Sequence, residues 1–178
     1  SKTFPSIFDV LICYYAEKEK YTRMKQKTAD LRKIVQTAQE RISKKYDLQQ
    51  KQLKDTKKRE KYKVYGELIQ TYGYQLEPNA KSLTCVNYYT NEEITIPLDP
   101  NKTPLENSQK YFARYNKLKR TYKALSQLVV ETKADLDHLE SIATSLSLSE
   151  DEKDLALIKE ELIDYGYIKN RGNQKTKR

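Results

Sequence analysis

The sequence predicts a mainly α-helical fold. It reads as a long antiparallel coiled-coil hairpin with a small α/β tip (a short helix plus a β-hairpin) and a short C-terminal helix at the base. Three observations carry this. Proline occurs at 5, 78, 97, 100 and 104 and glycine at 66, 73, 166 and 172, so residues 6–65 and 105–165 hold no helix breaker, while 66–104 holds six of the nine. Only 37% of the 178 residues are hydrophobic, 33% are charged, and mean hydropathy is -0.92, too little apolar material for one large core and typical of long solvated helices. Finally, both breaker-free stretches carry apolar residues in alternating steps of three and four, the signature of a coiled-coil stripe.

Taken in order, residues 1–17 read as a helical lead-in from a preceding domain, with Ser6 placed to cap a helix that opens on Ile7, Val10, Leu11 and Tyr14. The first coiled-coil helix is expected over 18–60. Its stripe is Met24, Thr28, Leu31, Val35, Ala38 and Ile42, weakening through Tyr46 and Gln49 to Leu53. Residues 61–103 form the tip. There Lys61–Tyr72 predicts a short helix ended by Gly73, and the β-rich runs 82–88 and 93–98 predict a hairpin turning at Thr90-Asn91-Glu92. The second coiled-coil helix spans 104–147. It opens on Thr103-Pro104-Leu105-Glu106, a capping box with proline at the first helical position. Tyr111, Tyr115, Leu118, Tyr122, Leu125, Val129, Thr132, Leu136, Leu139, Ala143 and Leu146 then step by four and three without a slip. Residues 148–168 hold a short helix, with Ser149 and Glu152 as a second capping box and Gly166 at the C′ position; 169–178 is a basic linker or tail. Two helices of this length joined through the 61–103 insert should pair antiparallel, at about 1.5 Å per residue an arm of roughly 60 Å, with both ends at its base, as in an insertion within a larger protein.

Charge is distributed unevenly along this plan. Residues 17–63 hold 17 Lys+Arg against 7 Asp+Glu, and 104–125 hold 6 against 1, whereas 126–168 hold 3 against 11. Equal-length pairing sets 126–147 beside 18–41, where acid faces base, and 104–125 beside 42–63, where base faces base. Like charges so close cost some tenths of a kcal/mol per pair on a helix, which points to a polyanionic partner. RNA fits best, because phosphate contacts need only placed lysines and arginines. The candidate RNA-binding residues are Lys54, Lys57, Lys58, Arg59, Lys61, Lys63, Arg114, Lys117 and Arg120. Nine of the fifteen tyrosines (62, 65, 72, 74, 88, 89, 111, 115 and 122) fall in or beside the tip. Tyrosine among cations can stack on unpaired bases, but the blander reading, a tyrosine-built core with hydroxyls reaching water, carries more weight because 111, 115 and 122 lie on the stripe.

Other conspicuous groups have ordinary explanations. His138 has no second histidine and reads as a surface side chain. Cys13, within Leu11-Ile12-Cys13-Tyr14-Tyr15, reads as a buried thiol without a partner base. Glu150, Asp151, Glu152 and Asp154 read as acids facing a helix N-terminus, and Asp99 through Phe112 as helix-start chemistry. Two cysteines make neither a disulfide framework nor a zinc site. No Gly-rich phosphate loop, Ser–His–Asp set or pair of catalytic carboxylates occurs, so no enzyme, cofactor or metal is expected. With no apolar run of membrane-spanning length and no secretory signal, a reducing cytosol is the expected compartment and no membrane the expected partner.

Several stretches together resemble a known family. These are Ala16-Glu17-Lys18, the run Lys25–Leu31, Tyr65-Gly66-Glu67-Leu68-Ile69, Val86-Asn87-Tyr88-Tyr89, and above all Ile94-Thr95-Ile96-Pro97-Leu98-Asp99-Pro100-Asn101-Lys102-Thr103-Pro104, continuing through Asn107–Phe112 and Tyr115–Lys119. The chain resembles, over about 5–168, the coiled-coil middle region of the bacterial RqcH proteins of the NFACT group, also called fibronectin-binding protein A. That resemblance implies a ribosome-associated quality-control factor that binds obstructed large ribosomal subunits and extends the stalled chain with a C-terminal alanine tail. It implies an arm reaching ribosomal RNA and stalk-base proteins, and tRNA held by other domains, whose tRNA-contacting Asp-Arg motif is absent here. Related members were also described as surface adhesins for fibronectin or fibrinogen, so a matrix-binding module with surface display is the alternative. A mechanical spacer or dimerising coil is the third reading.

Overall fold

The computed structural model describes residues 6–169. The first residues of the expected lead-in, and all of the expected basic tail beyond Lys169, lie outside the described residues. The elements are α1 (Ile7–Asp55), α2 (Arg59–Tyr72), β1 (Ser82–Asn87), β2 (Glu92–Pro97), α3 (Pro104–Ser147) and α4 (Glu152–Asp164), with single 3₁₀ turns at Thr56–Lys58 and Gly73–Gln75. The chain divides into two compact units, one of residues 46–131 and one formed by the residues on either side of that span.

Local chemistry explains most of the boundaries. Asp9 N–H donates to Ser6 Oγ at 3.2 Å, the expected cap of α1. At α3, Thr103 Oγ1 accepts from Glu106 N–H at 3.2 Å and meets its carboxylate at the same distance. The expected cap of α4 needs correction. Ser149 donates to Ser145 O, and Asp151 is the cap, accepting from Asp154 N–H at 2.9 Å. Asp151 wins because its carboxylate, two residues closer to the helix, reaches the third helical amide. Helix α4 ends in a Schellman turn: Gly166 has φ +79, its N–H donates to Ile163 O, and Tyr167 N–H donates to Leu162 O at 2.9 Å. Gly73, by contrast, stays right-handed at φ -61 and enters the following 3₁₀ turn. Its lack of a side chain serves packing instead, since a Cβ there would lie 3.1 Å from that of Pro104.

In the unit flanking 46–131, the core is aliphatic. Leu31 and Val35 of α1, Ile142 and Leu146 of α3, and Leu155, Ile158 and Leu162 of α4 form one buried cluster, and Ala38, Ile42 and Leu139 form a second. Rising numbers on α1 meet falling numbers on α3, so the two helices run antiparallel here. Their alignment corrects the equal-length pairing: Leu31 sits with Leu146, about three helical turns further along α3 than that pairing allows. The alignment is set by which buried apolar residues meet, Leu31 and Val35 with Ile142 and Leu146, and not by counting residues from the insert. Val10, Leu11 and the other residues of 7–15 are exposed, and Cys13 is exposed with them, against the expectation of a buried thiol; nothing in this unit packs over that part of α1. His138 is more enclosed than a surface side chain, with Nε2 2.8 Å from Glu161 Oε1 and the ring stacked on Tyr165 at 3.9 Å.

Within 46–131 the core is Leu68, Ile69, Leu83, Ile96 and Tyr111. Strands β1 and β2 pair antiparallel, with Leu83 opposite Ile96 and Asn87 opposite Glu92. Their alternation turns Leu83 and Ile96 onto α2 and leaves Thr84 and Thr95 outward, hydroxyl to hydroxyl at 3.2 Å. The hairpin turn closes through Asn91 at φ 57, a conformation asparagine tolerates. Helices α2 and α3 approach closely at Gly66: Ser108 Oγ donates to Gly66 O at 3.1 Å, and a Cβ at Gly66 would fall 2.8 Å from the Phe112 ring. Buried Asn107 latches the preceding loop, accepting from Asp99 N–H and donating to the carbonyls of Asp99, Lys102 and Thr103.

Candidate nucleic-acid interface

The nine predicted cations all lie within 46–131, at the end of α1, in the 3₁₀ turn that follows it, on α2 and on the first half of α3. Lys54, Lys57, Lys58, Lys61, Arg114, Lys117 and Arg120 are exposed; Arg59 and Lys63 are half-buried. Apart from Tyr122, burial follows the heptad steps from Met24 along α1 and from Tyr111 along α3, so the lysines and arginines between the steps fall on the outside.

Tyrosine rings organise these cations. Arg59 lays its guanidinium over Tyr122 at 4.3 Å, and Arg114 reaches Tyr62 at 5.6 Å and Tyr111 at 5.8 Å. Lys61 lies over Tyr65 at 5.5 Å, while Lys63 and Lys119 share Tyr115 at 5.8 and 6.0 Å. Beneath them Tyr62 stacks on Tyr111 and Tyr65 meets its edge. A ring quadrupole attracts a cation without cancelling its charge, so these groups are positioned and remain charged. Tyr111 belongs to the core: its hydroxyl donates to Pro97 O, and burial pushes its pKa up. Lys58, Lys117 and Arg120 make neither an ion pair nor a ring contact among the described residues.

Acidic groups do little to neutralise this surface. The one ion pair within 46–131 among the described residues is Arg59 Nε to Glu60 Oε1, at 3.9 Å. Glu67 is engaged elsewhere. It accepts the Tyr89 hydroxyl hydrogen bond, which pushes Tyr89 up to about 12. Three groups beyond the predicted nine belong to the surface: Lys51, Lys119 and Tyr122. Lys51 could have been found from its spacing of three and seven to Lys54 and Lys58, and Lys119 from standing four residues after Tyr115. The exposure of Tyr122 had no sequence signal.

The whole chain, residues 1–178, matches the family model described as NFACT N-terminal and middle domains. The chain belongs to the NFACT family. Among curated relatives, a Rqc2 homolog RqcH of Streptococcus suis is 39% identical over 97% of this chain, and one of Streptococcus pneumoniae is 38% identical over 97%. The Bacillus subtilis Rqc2 homolog RqcH is 30% identical over 99%. The chain spans only about a third of these NFACT relatives, 31%, 31% and 32% of their lengths respectively. A solved structure of the C-terminal part of the fibronectin/fibrinogen-binding protein from Streptococcus suis superposes with TM-score 0.51 at 30% identity, covering 88% of this chain and 49% of that one.

Proposed function

We propose that this chain is the coiled-coil arm of a ribosome-associated quality-control factor: an antiparallel helical hairpin whose basic half docks on ribosomal RNA beside the stalk-base proteins. In this reading the parent protein binds obstructed large ribosomal subunits in the cytoplasm and supports C-terminal alanine tailing of the stalled chain. Its other domains hold the tRNA. The arm performs no chemistry of its own and needs no cofactor. Kinship with the RqcH proteins supports the cellular setting. The single observation that carries the docking role is the surface of 46–131, where cations on neighbouring helices lie over tyrosines with almost no acid between them. Nothing in the packing needs such a surface, and like charges oppose it; a phosphate backbone rewards it.

Lys58→Glu, Lys117→Glu and Arg120→Glu together test this cleanly, because none of the three side chains holds the fold. In co-sedimentation of the chain with purified large subunits, the triple variant should bind at least about tenfold more weakly, and its log–log salt slope should fall by about two to three units. Unchanged binding refutes the docking surface. The adhesin reading has one specific support: the superposed streptococcal fragment comes from a fibronectin/fibrinogen-binding protein. Tighter binding to immobilised fibronectin or fibrinogen than to large subunits at physiological salt would favour it.

A further inference from the structure

Tyr122 falls on the buried stripe of α3, between Leu118 and Leu125, yet it is 41% exposed. The helix facing it explains why. The α-helical path breaks there into the 3₁₀ turn Thr56–Lys58, with buried Thr56 donating to Leu53 O at 2.6 Å. A 3₁₀ turn inside a helix shifts the side chains that follow off the regular stripe. Arg59 fills part of the gap: Nη1 donates to Thr56 O at 3.1 Å, and the guanidinium covers the Tyr122 ring. The remaining ring surface opens onto a cleft of about 550 Å³ lined by Gln50, Lys51, Leu53, Lys54, Lys57 and Tyr122.

The lining is chemically selective. It offers one aromatic surface, one aliphatic side chain, one amide and three ammonium groups, and no carboxylate. Asp47, Asp55 and Glu60, the nearest acids in sequence, line no part of it, and none of the three lysines makes an ion pair among the described residues. Gln50 spends an amide N–H on the Tyr46 hydroxyl at 2.9 Å, which leaves its carbonyl as an acceptor. A flat, weakly polar ring with anionic groups on both sides satisfies every one of these. Nucleotides within a duplex do not, since their bases are already stacked and they present phosphates alone.

We propose that this cleft takes one unstacked nucleotide of single-stranded RNA, its base on Tyr122 and its flanking phosphates among Lys51, Lys54 and Lys57. The proposal rests on the docking role above and deepens it, because it separates a base-reading point from the surrounding phosphate contacts. Arg59, anchored to the backbone and already flat on the ring, holds Tyr122 in place for the stack.

The test uses the 178-residue chain with a labelled short oligouridine and an abasic strand of equal length, read by fluorescence anisotropy. The wild type should bind the oligouridine about tenfold more tightly than the abasic strand, the worth of one stacked base. Tyr122→Ala should bind both at the abasic level, and Tyr122→Phe should keep the preference. Lys54→Gln with Lys57→Gln should weaken both equally and lower the salt slope by about one to two units. Thermal melts by circular dichroism check that Tyr122→Ala is folded, and Tyr122→Leu, which fills the space without a ring, serves if it is not. Equal wild-type affinity for the two strands, or a preference that survives loss of the ring, overturns the nucleotide cleft and leaves the phosphate-binding surface standing. Absence of binding to either strand overturns both.

Discussion

Three of the four ion pairs that lysine and arginine make among the described residues, Glu19–Arg23, Lys27–Glu152 and Lys133–Asp137, lie in the unit that flanks 46–131. The unit of residues 46–131, which holds fifteen lysines and arginines, contributes one, long at 3.9 Å. The interiors differ in parallel. The flanking unit fills its clusters with leucine, isoleucine and valine, while 46–131 builds much of its interior and rim from tyrosine. Aliphatic packing offers no ring face to a cation's head group, and the cations positioned there, Arg23, Lys27 and Lys133, are held by carboxylates. Tyrosine gives a cation a ring face, which fixes position and keeps the charge available. The contrast separates a unit whose few positioned cations sit against carboxylates from one whose positioned cations sit on rings.

The hardest test of this contrast removes the aliphatic packing. Leu162 is fully buried where α4 meets the cluster, and Leu162→Ala should cost about 2–5 kcal/mol. Native-state hydrogen exchange should show protection falling in α4 while β1 and β2 keep theirs. Equal losses in both would show one cooperative core and break the comparison. A smaller effect is expected in the other unit. Gly66→Ala drives a methyl into the Phe112 ring and should cost about 1–3 kcal/mol. Because α2 carries Lys61 and Lys63, it should also weaken binding to RNA; a variant that loses stability but not binding would show that the tolerance for cation placement is wide.

The smallest effect concerns pH. The Glu67 hydrogen bond holds the Tyr89 proton up to about 12, against an ordinary value of 10. The contribution is complete below pH 10, where both folded and unfolded chains keep that proton. It is lost as pH rises from about 10 to about 12, where the unfolded chain has released it first. Denaturation midpoints across that window should fall less for Tyr89→Phe than for the wild type, and parallel curves would mean the bond contributes nothing.

Much of this was legible beforehand, for physical reasons. The stripe on α3 and the caps at Ser6, Thr103 and Gly166 are local encodings, and local encodings survive folding. The strands at Ser82–Asn87 and Glu92–Pro97 declared themselves through alternation and turn residues. What escaped depended on distant partners. The alignment of α1 with α3 depends on which buried residues of the two helices meet, not on either helix alone. Asp151 displaced Ser149 because two acceptors competed for the same amides. Cys13 looked buried by its neighbours' composition, but burial needs a covering surface. For the candidate site, residue type and face could be read from charge spacing. The pairing of each cation with a particular ring could not, and neither could the exposure of Tyr122, which arises from a one-turn irregularity on the opposite helix.

Arg59 differs from the lysines around it in a way that matters for how a partner would arrive. Its guanidinium is tethered twice, to a main-chain oxygen and to a ring, whereas neighbouring Lys57 and Lys58, with no ring beneath them, swing on four-carbon stems. An incoming strand would therefore meet a stationary landmark amid sweeping charges, and the order of events would be capture first, alignment second.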